Sequence, residues 1–180
     1  MKTSFTHYDM ESAPQSSKRL LNDINKQYGF IPNLFAYMAE APTTIEAYLM
    51  LTDLVSKTSL TPAQQQVALL AASVENKCEF CTVAHHASGI MNQVNEQTLQ
   101  AIINQTEIHD RKDSVLTKLT QSVVKTRGNP NQAIMEEFFE AGFSRQQVLE
   151  VVLVVTIKTL SNYINHLTQP EPNKELLAMI

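Results

Sequence analysis

A chain of 180 residues has room for one domain with a substantial core, and 43% hydrophobic content with four glycines and no tryptophan leans towards helix. The formal net charge of -4, with acidic and basic residues interspersed, leaves no electrostatic footprint for nucleic acid or an anionic membrane surface. The N-terminus lacks an apolar leader and no run approaches 18 uninterrupted apolar residues, so a cytoplasmic location is expected. In that reducing compartment the chain's two cysteines, spaced CxxC, fit a pair that cycles better than a permanent staple.

Taken in order, the pattern predicts helices and short polar loops throughout, an all-α single domain. Residues 1–14 are polar and without period, a loosely docked arm ending at Pro14. Ser16 to Tyr28 carries Leu20, Leu21, Ile24 and Tyr28 on one side, with Gly29 as the stop. Pro32 holds Ile31 extended in the connector that follows, and a short helix, Leu34 to Glu40, ends before Pro42. Thr43-Thr44-Ile45-Glu46 has capping-box spacing and opens a helix to Lys57, and Thr61-Pro62-Ala63-Gln64 opens another to about Ser73. Asn76, with Glu79 three residues later, reads as the N-cap of a helix from Lys77 to about Met91. Helices over 95–104, 110–127 and 130–141 follow, the last two stopped by Gly128 and Gly142.

Ser144-Arg145-Gln146-Gln147 caps the last long element. The run from Val148 to Ile157 is rich enough in β-branched residues for a buried strand. The preceding cap and the helical spacing of Leu160, Tyr163, Ile164 and Leu167 make it a helix to Thr168. Being apolar nearly all round, it is expected to be the central core helix or part of a subunit interface. Pro170 and Pro172 end it, and the apolar tail 176–180 is free to dock on a neighbour.

The chemistry concentrates at Glu75-Asn76-Lys77-Cys78-Glu79-Phe80-Cys81-Thr82-Val83-Ala84-His85-His86. In a helix from Lys77, Cys78, Cys81 and His85 share a face within roughly 60°, while His86 points elsewhere. The helix N-terminus favours thiolate over thiol, a histidine one turn on can take the proton of Cys81 or hold it as an ion pair, and two close cysteines can close a disulfide. Two other readings stand beside the redox pair. Two cysteines and two histidines could ligate zinc, although one helix presents them poorly for a tetrahedron, and the cysteines could be inert buried hydrophobes with His85 a core histidine.

Thr61-Pro62-Ala63, the CxxCxxxH of Cys78, Cys81 and His85, Phe30-Ile31-Pro32-Asn33-Leu34, Val124-Lys125-Thr126-Arg127-Gly128 and the segment from Lys158 to His166 together resemble the carboxymuconolactone decarboxylase family, in its alkylhydroperoxidase (AhpD-like) branch. The likeness spans about 30–168, which divides the chain into an N-terminal arm and helix (1–29), an AhpD-like domain (30–168) and a tail (169–180). It implies an all-helical trimer or hexamer that reduces hydroperoxides without a cofactor, regenerated by a dithiol or lipoyl-bearing protein. By position it implies that Cys81 attacks the peroxide, that Cys78 is the more exposed resolving cysteine, and that His85 belongs to the proton relay.

Two departures qualify the match. The family's glutamate, twelve residues before the first cysteine, is Gln66 here, and a neutral amide cannot carry that proton. Phe80 stands where a histidine often precedes the second cysteine. Glu75 or Glu79 could substitute as the carboxylate or be capping charges at the helix start. Asn162 and His166, at i and i+4, read as a polar patch or an interface hydrogen bond, and no chemistry falls to His7, His86 or His109. The expected function is a thiol-dependent hydroperoxide reductase. The alternatives are a disulfide oxidoreductase or redox sensor with little peroxidase activity, and a non-catalytic oligomeric binding protein. Decarboxylase-like chemistry would need basic and polar substrate groups that the sequence does not locate.

Overall fold

The computed structural model describes residues 4–180, and among them every regular element is helical. The first three residues of the predicted arm lie outside that range. Ten helices follow one another: α1 Gln15–Tyr28, α2 Asn33–Met38, α3 Pro42–Ser56, α4 Pro62–Glu75, α5 Glu79–Met91, α6 Glu96–Asn104, α7 Arg111–Thr126, α8 Gln132–Glu140, α9 Arg145–Thr168 and α10 Lys174–Leu177.

Their boundaries are set by local hydrogen bonding. Reciprocal capping boxes form at Thr61/Gln64 and Ser144/Gln147, each pairing two backbone N–H groups that the helix start leaves free. Gly29 closes α1 at φ 79, a left-handed conformation that glycine adopts without strain. The predicted box at Thr43–Glu46 does not form. Pro42, with its φ pre-set for a helix, takes the first position of α3 two residues earlier, and the Thr44 hydroxyl donates to the Ala41 carbonyl at 2.7 Å instead.

The central helix is α4, which packs on α5, α6, α7 and α9 and buries an unbroken run from Val67 to Ser73. Of the two places expected for α9, the centre of the core is therefore taken by α4 instead. One stripe of α9, Val151, Val154, Ile157, Lys158, Ser161, Asn162 and Asn165, faces inward, whereas Leu149, Val152, Tyr163 and Leu167 are exposed. By length and composition α9 is long and apolar enough to cross a membrane, yet it forms one wall of the core.

Two apolar clusters result. The larger joins α4, α6, α7, α8 and α9 and contains the stacked rings of Phe138 and Phe143, 4.3 Å apart. The smaller is built from α1, α2 and the start of α5, and it holds Phe80 and both cysteines. Arm and tail dock on this second cluster. Tyr8 N–H donates to the Ala36 carbonyl at 3.1 Å, and Asn33 binds the tail through its N–H to Asn173 Oδ1 and its Nδ2 to the Glu171 carbonyl, both at 2.8 Å. The tail thus folds onto its own chain, where α10 packs against α5.

Candidate functional site

The local sequence builds the cysteine turn in a way that differs from the expected N-cap at Asn76. Asn76 ends α4, Lys77 turns left-handed at φ 57, and Lys77 and Cys78 donate their N–H groups to the carbonyls of Val74 and Ser73. This paired closure of a helix end delivers Cys78 directly to the N-cap position of α5, with Cys81 one turn inside. The freed Asn76 side chain donates to Asn162 Oδ1 at 2.9 Å, tying the turn to α9. Cys78 makes no side-chain cap, so the first-turn N–H groups leave a positive field beside the sulfurs.

Both thiols are free and 2% exposed, so exposure does not rank them. Their surroundings do. Cys81 opens into a cavity of about 200 Å³ walled by Tyr28, Phe30, Phe35, Tyr48 and Phe80, with Gln66, His85 and Lys158 as its polar end. Cys78 lines a separate groove of about 470 Å³ bounded by Lys77, Glu79, His166 and the Pro170–Pro172 segment of the tail. Asn165 on α9 donates from Nδ2 to Cys81 Sγ at 3.1 Å and to Cys78 Sγ at 3.6 Å.

These contacts divide the pair electrostatically. Cys81 is drawn well below the ordinary thiol value, first by the hydrogen bond from Cys78, then by the charge of Lys158 and the amide of Asn165, all working against burial. Cys78, as the partner that keeps the shared proton and is itself buried, is pushed up. Of the two, Cys81 is the sulfur whose thiolate these surroundings favour, with Cys78 as its donor.

His85 does not touch either sulfur with a hydrogen bond among the described residues. Its Nδ1–H donates to Gln66 Oε1 at 3.1 Å, and its Nε2 accepts from Lys158 Nζ at 2.8 Å. That network assigns a neutral imidazole, and burial together with the Lys158 charge holds its pKa well below 6.5. The direct ion pair between His85 and Cys81 expected from the helical register is therefore replaced by a chain running from Gln66 through His85 to Lys158.

Lys158 is the residue that reading the motif alone passes over. It is 1% exposed and sits 73 residues from His85. Its signal in the sequence is a lone cation closing ten residues of almost unbroken apolar character, where an unpartnered charge is out of place. Asn162 and His166, expected to share a surface patch, diverge: Asn162 is fully buried against the cysteine turn, while His166 is exposed and stacks on Tyr163. Neither Glu75 nor Glu79 hydrogen-bonds His85, the former lining a groove between α6 and α7 and the latter lying exposed. His86 turns towards α6 and binds Glu96 at 3.1 Å, outside the site. Among the described residues no cluster of histidine, cysteine and acidic side chains has the geometry of a metal site.

An all-helical domain with a polarised CxxC pair at a helix N-terminus and a histidine one turn on defines the AhpD-like class of fold. The family comparison points the same way: residues 39–119 match the model described as the carboxymuconolactone decarboxylase family. No curated protein sequence matches. Among solved structures, the alkylhydroperoxidase AhpD core of a peroxidase-related protein from Ralstonia eutropha JMP134 superposes with a TM-score of 0.84 at 20% identity, over 97% of this chain and 94% of that one. A peroxidase-related protein from Silicibacter sp. TM1040 follows at 0.80 and 16%, over 98% and 95%. A cysteine variant of the debrominase Bmp8, in complex with 2,3,4-tribromopyrrole, superposes at 0.78 and 16%, over 99% and 96%. One fold thus serves more than one reaction, and chemistry has to be argued from the site.

Proposed function

We propose that the protein is a thiol-dependent hydroperoxide reductase. The observation that carries this reading is the asymmetry of the cysteine pair: Cys81 is stabilised as thiolate at the end of a substrate-sized cavity, and Cys78, its hydrogen-bond donor, borders a different opening. Cys81 Sγ attacks the terminal oxygen of a hydroperoxide, breaking the O–O bond and giving a sulfenic acid and an alcohol. Cys78 then attacks that sulfur, water leaves, and the disulfide closes. A dithiol or a lipoyl-bearing protein reduces it through the groove at Cys78, where Lys77 and His166 flank the sulfur.

The apolar walls of the Cys81 cavity suit an organic hydroperoxide better than a fully hydrated one. The exposed stripe Leu149, Val152, Tyr163 and Leu167 fits burial in a homo-oligomer of the trimeric or hexameric kind, in the cytoplasm.

The test is turnover of an organic hydroperoxide with a supplied dithiol. Activity is expected in the wild type and absent in Cys81→Ser, whereas undiminished turnover in that variant sinks the reading. Gln66 favours a second reading, a disulfide oxidoreductase with little peroxidase activity, since no carboxylate completes the relay at His85. Oxidation of the pair by a disulfide much faster than by any hydroperoxide selects it.

A further inference from the structure

Lys158 is a buried cation whose hydrogen-bond partner, His85 Nε2, is neutral. No carboxylate lines its cavity, and no salt bridge to it exists among the described residues. Such a charge is costly to bury without a counter-anion. The titratable groups facing it are few. From α5 come Cys81 and the neutral His85; from α3 and α1 come Tyr48 and Tyr28, whose hydroxyls burial pushes up and keeps neutral. On the far side of Cys78 lie Lys77, Glu79, His166 and Glu171, in the separate groove. Among the described residues of the cavity, Cys81 is the group available to balance the charge.

We propose that Lys158 holds Cys81 as its thiolate and, in the peroxide reaction, acts as the acid that protonates the departing alkoxide. The first role stands on Lys158 and Cys81 lining one cavity, with the ammonium held there by His85; the second rests on the hydroperoxide reductase reading. The carboxylate–histidine relay expected of the fold is thereby replaced by a histidine–lysine one. Gln66 and the two nitrogens of His85 act as positioning groups, aiming the ammonium into the cavity.

The step balances as follows. The Cys81 thiolate forms an S–O bond to the terminal peroxide oxygen as the O–O bond breaks, the sulfur giving up two electrons. The alkoxide takes a proton from Lys158, leaving a neutral amine and a free alcohol. Cys78 attacks the sulfenic sulfur, its thiol proton departing with the hydroxide as water. When an external dithiol reduces the disulfide, one of its two protons restores the Cys78 thiol and the other returns to Lys158, beside the regenerated thiolate.

Two variants separate the roles. Iodoacetamide alkylation of Cys81 is followed against pH in the reduced full-length protein by peptide mass. An opposite charge nearby shifts a pKa by about 1–3 units, so Lys158→Met is expected to lower the alkylation rate at pH 6 by about tenfold or more. Lys158→Arg keeps the charge but holds its proton, so alkylation is expected within about threefold of wild type while turnover of an alkyl hydroperoxide collapses. A peracid, whose carboxylate leaves without needing a proton, is expected to lose much less turnover in Lys158→Arg than an alkyl hydroperoxide does.

Circular dichroism establishes that each variant is folded, with Lys158→Gln standing in if the methionine variant is not. A neutral variant whose alkylation profile superposes on wild type overturns the pairing. Undiminished alkyl hydroperoxide turnover in Lys158→Arg overturns the acid role. If wild type reduces no hydroperoxide at all, the reductase reading fails with the acid role, and the alkylation profiles still decide the pairing.

Discussion

Gln66→Glu places a carboxylate where the His85 Nδ1–H now meets a neutral amide oxygen at 3.1 Å. Two unit charges at that distance interact by about 5 kcal/mol at an effective dielectric of about 20, an upper bound from which the desolvation of the new carboxylate is subtracted. The surplus corresponds to a rise of about 1–3 units in the His85 pKa, from its present position well below 6.5. The carboxylate lies one imidazole width further from Lys158, so it offsets the Lys158 charge more weakly, by about 2 kcal/mol at roughly 8 Å, and Cys81 loses part of its thiolate stabilisation. Titration of the histidine ring by two-dimensional NMR reads the first effect, and alkylation of Cys81 reads the second. A His85 pKa unmoved by the substitution refutes the network from Gln66 through His85 to Lys158.

The other expectations concern the sulfurs and acid stability. Removing the Asn165 amide in Asn165→Ala deletes a hydrogen bond to a charged acceptor, worth about 1.5–3 kcal/mol, and so lowers the reduction potential of the pair by about 30–60 mV; equilibration against a glutathione series measures it, and an unchanged potential contradicts the donation seen at 3.1 Å. His85 has a depressed folded-state pKa, so below about pH 6.5 the unfolded chain binds a proton that the folded chain refuses. Stability therefore falls as the pH drops below that value, by at most about 1.4 kcal/mol per pH unit from this group, and urea midpoints between pH 7 and 5 are expected to fall less steeply in His85→Asn; parallel slopes rule the contribution out.

Much of the fold was legible because helix boundaries are short-range affairs. Thr61, Ser144 and Gly29 do their work within four residues of themselves, and the structure uses each as its local chemistry demands. Where two local signals competed, the pattern was ambiguous: Pro42 displaced the box at Thr43, and the closure of α4 through a left-handed Lys77 displaced the cap at Asn76. That second difference moved Cys78 from inside a helix to its N-cap, where it borders a groove separate from the cavity that Cys81 and His85 line.

By itself, then, the sequence determined an all-helical chain and a CxxCxxxH turn able to carry thiol chemistry, because both depend on residues a few positions apart. Only the tertiary structure decided what that turn faces. The Lys158 and Asn165 contacts reach Cys81 and His85 across more than 70 residues, the exposed face of α9 was settled by α4 occupying the centre, and the tail was claimed by Asn33. Charge on the sulfur pair is set by those distant groups, because an ammonium and an amide act through space in a buried, low-dielectric cavity, where no local pattern announces them.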